Sequence, residues 1–291
     1  MQPRFFKRKK EMMMKQFKVG IQLYSVREDL AADFEGTLKK IAEMGYEYVE
    51  FAGYCGKSAA EIKEILDKYG LKCVSVHQGV EWFLEKGQEA VDFLKTFGVK
   101  YSIVPWYAAE RHYGTPGWEE TYANFTKVAA LLKENGMKLG YHNHDFEFRT
   151  YEGKYLLDWL YEKIPADLIE PELDTCWVHY AGVEPAGFVR KYAGRMTVLH
   201  LKDFACTKLG GGPVYALIDG NGKEMKNTSR EESGFTFRPI GMGIQDFGAI
   251  LAAAEDAGVE YVIVEQDQSP ERPPMEAAAI SRKYLKETFG I

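Results

Sequence analysis

The sequence predicts an α/β fold, a single (β/α)8 TIM barrel, on three observations. Short apolar runs of strand character alternate eight times with segments of helical period. Composition does not shift between these units, which argues for one parallel sheet closed on itself. The chain has 291 residues, a length that one such barrel commonly reaches. An open doubly wound sheet is the alternative, but no GxGxxG follows the first strand.

The elements follow in order. VGIQLYS (19–25) reads as a strand, and Phe34 to Met44 as a helix stopped by Gly45. YVEFAG (48–53) is the second strand, with a helix from the N-cap Ser58 to Tyr69 before Gly70. KCVSVHQG (72–79) is the third, and its helix ends near Phe97 and Gly98. YSIVPW (101–106) is the fourth, with a helix ending at Asn135 and Gly136. KLGYHNHDFE (138–147) is the fifth, followed by a helix from Tyr155 to Ile164. LIEPELDT (168–175) is the sixth, with a short helix from Pro185 to Tyr192. TVLHLKD (197–203) is the seventh, and a Gly-rich segment separates it from a helix at Gln245 to Ala257. YVIVEQD (261–267) is the eighth, and Met275 to Thr288 closes the chain as a helix.

Composition narrows the function. Hydrophobic residues make up 46% and charged residues 27%, as in an ordinary soluble enzyme. A net charge of −6 argues against a nucleic-acid partner. Cys55, Cys73, Cys176 and Cys206 have no close spacing, which reads as reduced thiols in a cytoplasmic protein. No apolar run approaches the ~18 residues of a membrane span. Residues 1–18 are basic, and their MMM run is followed at once by Lys15, so no signal-peptide core forms. They read as a disordered leader, with 19–291 as a barrel carrying a long insertion at about 205–243. A homo-oligomer is left open.

Ligand-type residues gather at strand ends. Side chains two apart share a strand face, so His142 and His144 point one way while Tyr141 and Asn143 point the other. Two such imidazoles suit either metal ligation or proton exchange with a substrate, and equally the capping of loop carbonyls. The second strand ends near Glu50, the third at His77, the fourth at Trp106 and the sixth at Asp174. His200 and Lys202 share a face on the seventh; Glu265 and Asp267 share one on the eighth. A barrel brings these ends into one ring. Asp, His and Glu together suit one divalent cation, with Mn²⁺, Mg²⁺ and Zn²⁺ all open.

YHNHDFEF (141–148), ELDTCWVHYAG (172–182), VLHLKDF (198–204) and IVEQD (263–267) resemble the sugar phosphate isomerase/epimerase superfamily of xylose isomerase-like barrels. The resemblance covers about residues 18–290, with the motifs in family order. It implies a metal site with one ligand from each of strands five to eight. Carried over, these are His142, Asp174, His200 and Glu265, His142 standing where many members have a glutamate. Trp177 stands where epimerases of the group often carry a histidine, and is assigned to the substrate.

The resemblance implies removal of a proton next to a carbonyl, through an enediolate, on a small carbohydrate. Glu265, His144, His77 and Lys202 are the expected catalytic groups; Glu50, Trp106, Trp177 and Arg238 are the expected substrate contacts. The insertion is expected to fold over the mouth and bring Arg238 to the substrate. A sugar or polyol isomerase or epimerase is the first expectation. The alternative is a lyase or hydratase of inososes or 3-keto-glycosides, which the pattern around His142 favours over two-base epimerisation. A metal-dependent apurinic endonuclease is disfavoured, because no Asp-x-His follows His200 and the chain is acidic. A sugar-binding barrel without turnover is the non-enzyme reading.

Overall fold

The computed structural model describes residues 16–210 and 232–291. Eight parallel strands close a barrel: Lys18–Gln22, Tyr48–Phe51, Lys72–His77, Tyr101–Val104, Lys138–His142, Ile169–Asp174, Val198–Leu201 and Tyr261–Val264. The first strand pairs with both the second and the eighth, Ile21 lying beside Val49 and Val264. Helices cover the outside because each strand hides apolar residues on its outer face, such as Val49, Leu139, Leu173 and Val262. The predicted caps form: Ser58 and Glu61 make a capping box, and Gly70 ends that helix in the left-handed region at φ 70°.

Several boundaries differ from expectation. The first strand begins at Lys18, and Phe17 is already buried, so the leader ends sooner than residue 18. The leader itself, 1–15, lies outside the described residues. After the third strand the helix is two pieces, Val80–Lys86 and Gln88–Thr96, broken where Gly87 takes a positive φ. The fifth strand stops at His142; a 3-10 turn and a two-stranded hairpin (Thr150–Tyr151 with Lys154–Tyr155) follow before the helix Leu156–Lys163. Among the described residues no helix is long and apolar enough to cross a membrane.

The barrel interior is layered. At the N-terminal end Val74, Val198, Tyr261 and Ile263 form an apolar plug, with Tyr48 and Tyr101 packed against it. Gly140 keeps its position free for Ile103, whose side chain a Cβ there would overlap. Above the plug the interior turns polar. A register shift between Val49 and Glu50 sets Ser75 beside Glu50 instead of the next residue in sequence.

The insertion leaves the barrel in an ordered way. Asp203–Ala205 pairs antiparallel with Thr236–Arg238. Asp203 accepts hydrogen bonds from the backbone N–H of Phe204 (2.9 Å), Gly241 (2.9 Å), Gly243 (2.8 Å) and Gln245 (3.2 Å). A side chain at Gly243 would collide with the carbonyl of Phe204, so only glycine lets the returning chain pass this close. The lid expectation for 211–231 lies outside the described residues. Asp203→Ala would orphan several of these amides and is expected to cost about 3 kcal/mol. Chemical denaturation checks this, with Asp203→Asn expected to fall between.

Candidate active site

Strands five to eight deliver one donor atom each to a buried cage. The chosen atoms of His142, Asp174, His200 and Glu265 all lie within 4.8 Å of one another. His142 Nε2 is 3.6 Å from Asp174 Oδ2 and 4.0 Å from Glu265 Oε2. His200 Nδ1 is 2.9 Å from Glu265 Oε2. Asp174 is fixed in orientation, since its Oδ1 accepts from the Cys176 amide (2.8 Å) and its own amide donates to Asn143 Oδ1 (3.0 Å). Lys202 closes the cage, its Nζ lying 2.8 Å from Asp174 Oδ2, 2.8 Å from Glu265 Oε2 and 2.9 Å from Asp267 Oδ1.

A second polar layer lies beneath. Glu50 is completely buried, taking hydrogen bonds from Gln22 Nε2 (2.7 Å) and from Ser75 Oγ. His200 Nε2 lies 2.8 Å from Glu50 Oε1, and His77 Nε2 lies 3.0 Å from it. Glu172 Oε2 faces three imidazoles: His77 Nε2 at 2.8 Å, His142 Nδ1 at 3.2 Å and His200 Nε2 at 3.2 Å.

These surroundings divide the titratable groups. Burial alone would raise Glu265, but Lys202 and His200 outweigh it and hold the carboxylate below the usual range. Burial likewise opposes Glu50, which His77 and His200 hold well below that range. Burial, with Glu50 close by, pushes Glu172 up to about 7. Burial would lower His77, yet Glu50 and Glu172 carry it to about 10. Burial and then Lys202 lower His144 to about 3, which favours its neutral form.

The expected residues therefore separate. His142, Asp174, His200, Glu265 and Lys202 come together. His144 lies beside them, half-buried, stacked on Phe146 (5.2 Å between centroids) and Trp177 (5.7 Å). His77, expected to shuttle protons, instead serves as the buried cation between Glu50 and Glu172; a protonated ring has no lone pair for a base. Glu50 is sealed in the floor and not set at the mouth for a sugar hydroxyl. Trp177 is fully buried, its ring under the Lys202 ammonium at 5.0 Å, so it is a wall and not a substrate platform. Arg238 pairs with Glu271, where the hairpin from Asp203 holds it, and not with the cage. Trp106 is 45% exposed and lines a cleft of about 410 Å³ with Glu81, Tyr107, Arg111 and Asn124. Glu147 holds the loop by bonding Tyr141 Oη and the His144 amide (2.8 Å) and is no ligand.

Glu172 is the group that sequence reasoning missed. It lies two residues before Asp174, so the period-two rule that linked His200 with Lys202 already placed both on the interior face.

The cage chemistry fits a divalent cation. Two imidazoles and two carboxylates are a common donor set for such ions. Three carboxylates face the Lys202 ammonium in a buried site, a gathering of negative charge that a bound cation would offset.

A closed parallel barrel with ligand-type residues on its last four strands defines a class, and comparison with known proteins places the chain within it. Residues 38–288 match the family model described as xylose isomerase-like TIM barrel. The chain belongs to that family. Inosose dehydratase of Clostridium perfringens is 25% identical over 293 residues, covering 89% of this chain and 91% of its own. A sugar phosphate isomerase/epimerase from Parabacteroides distasonis superposes with a TM-score of 0.71 at 21% identity, covering 94% of each chain. The IolI protein, solved with a bound zinc atom, gives 0.68 at 15% identity, covering 94% of this chain and 98% of its own.

Removing Lys202 tests the charge balance of the cage. Lys202→Met is expected to destabilise the metal-free protein by about 3–5 kcal/mol, because carboxylates are left buried without their partner. The melting temperature should fall by on the order of 10 °C, and added divalent cation should recover part of it.

Proposed function

We propose that this chain is a divalent-metal-dependent lyase that removes water from a keto-polyol, such as an inosose or a 3-keto-glycoside. The observation that carries it is an asymmetry: one neutral imidazole, His144, and one ammonium, Lys202, both packed on Trp177 beside the donor cage. The similarity to inosose dehydratases over most of both chains supports the dehydration, and the zinc in the IolI protein supports the metal.

His142, Asp174, His200 and Glu265 would hold the ion. Bound there, it supplies Lewis acidity that stabilises negative charge on the substrate's carbonyl oxygen. His144 takes the proton from the carbon next to the carbonyl. The electron pair of that C–H bond becomes a C=C bond, and the C–O bond to the neighbouring hydroxyl breaks. Lys202 gives its proton to the departing oxygen, which leaves as water. Proton return from His144 to Lys202 through solvent restores both groups. Asp267 and Glu265 pair with Lys202 and orient its ammonium. Epimerisation needs a second base on the opposite face, and the other groups near the cage serve it poorly. His77 is engaged by Glu50 and Glu172, and Lys202 and His200 draw on the Glu265 carboxylate and make it a weak base.

Incubation with inososes, 3-keto-glycosides and free ketoses in D₂O, with Mn²⁺, Mg²⁺ or Zn²⁺, tests the reading by mass. Water loss from the first two classes is expected. His144→Gln should lose both deuterium exchange and water loss by roughly 10²-fold or more. Efficient epimerisation of free ketoses without water loss would overturn it in favour of the isomerase reading.

The Trp106 cleft gives a separate expectation. Its exposed indole, with Asn124 and Arg111 beside it, suits the apolar face and hydroxyls of a second ring. Trp106→Ala should raise KM for a keto-glycoside by about tenfold with kcat little changed. A single-ring inosose should show little change in either constant.

A further inference from the structure

Each imidazole of the cage has one nitrogen turned into it and the other turned down onto a buried carboxylate. His142 points Nδ1 at Glu172 (3.2 Å) and Nε2 toward Asp174 and Glu265. His200 is turned the opposite way, with Nε2 on Glu50 (2.8 Å) and Nδ1 toward Glu265 (2.9 Å). A ring nitrogen bonded to a carboxylate of the floor holds its proton there; with an ion in the cage, the nitrogen facing the cage would give up any proton shared with Glu265 and offer its lone pair. The two rings reach one cage through different nitrogens, so each needs its own acceptor below.

Glu172 is costly for a purely structural residue. It is fully buried, and its Oε1 has no hydrogen-bond partner among the described residues. Two carboxylates so close in a buried floor repel each other, and the imidazoles of His77 and His200, each touching both, offset that repulsion. An apolar residue would be the cheaper filling here.

The donors His77, His142, Glu172 and His200 also lie close enough to hold an ion by themselves. Occupying both sites would require each shared ring to ligate through both nitrogens and lose both protons. Hydrogen bonding describes the lower layer better.

We propose that Glu172 and Glu50 are positioning residues, which set the tautomers of His142 and His200 so that Nε2 of the first and Nδ1 of the second face the cage. This rests on the metal-dependent reading given above. Neither carboxylate touches substrate; both act through the ring above them.

The test uses the full chain with ¹⁵N-labelled histidine, loaded with zinc, and long-range ¹H–¹⁵N correlation spectra. His142 should be protonated at Nδ1 and His200 at Nε2. Zinc affinity, measured against a competing chelator, should fall 10–100-fold in Glu172→Gln and in Glu50→Gln. The zinc-free Glu172→Gln protein should melt no lower than the unmodified chain, an outcome that a merely structural role would not give. Opposite tautomers, or zinc affinities within about threefold of the unmodified chain, would overturn the positioning role and leave the metal reading standing. Failure of the unmodified chain to bind zinc, Mn²⁺ or Mg²⁺ would overturn both. If either variant does not fold, the tautomers of the unmodified protein decide.

Discussion

The structure depends on keeping several carboxylates in the interior of one barrel. Glu50, Glu172, Asp174, Glu265 and Asp267 are all buried, and an uncompensated buried charge costs several kcal/mol. Compensation is layered. His77 sits between the two lower acids, while Lys202 faces the three upper ones. His200 joins the layers, touching Glu50 with one nitrogen and Glu265 with the other. The apolar plug closes the N-terminal end below these layers. Fold and site are therefore one problem: the strand register that closes the barrel also brings each acid to its cation.

That coupling explains what could be read from the sequence. The alternation of strands and helices, and the placement of His142, Asp174, His200 and Glu265 at strand ends, are local patterns with a fixed period. Depth is not local. His77 closes its strand as His142 closes the fifth, and Glu50 comes one residue before the end of its own, yet both lie in the floor. Trp177 was taken for a substrate contact since nothing in the chain reveals the short helix Thr175–Tyr180 that turns it inward onto Phe235 and Phe237. The expectation for Arg238 fails for a similar reason: its partner, Glu271, is 33 residues away, and Arg238 itself sits on a strand that pairs with Asp203 across the insertion. Glu172 lies within reach of the period-two rule, two residues before Asp174 on the same strand.

The same layering gives the site a direction. Groups below the cage pair with one another, whereas His144 and Lys202 share the indole of Trp177 beside the cage. A family that supports isomerases and lyases on one scaffold need change few positions to move between them.

Lys202 and Asp203 are neighbours with opposite duties, the first turned into the barrel and the second turned out to grip three returning amides. Just beyond them Thr207 and Ser233 are hydrogen bonded (2.8 Å), so the chain departs and comes back at one point. Lengthening what joins two pinned ends costs little, about 0.6 kcal/mol for each doubling. This junction is thus a place where evolution, or an engineer, can splice in new sequence next to a reactive centre without renegotiating the barrel. Diversity of accepted molecules within the family has a natural entry point there.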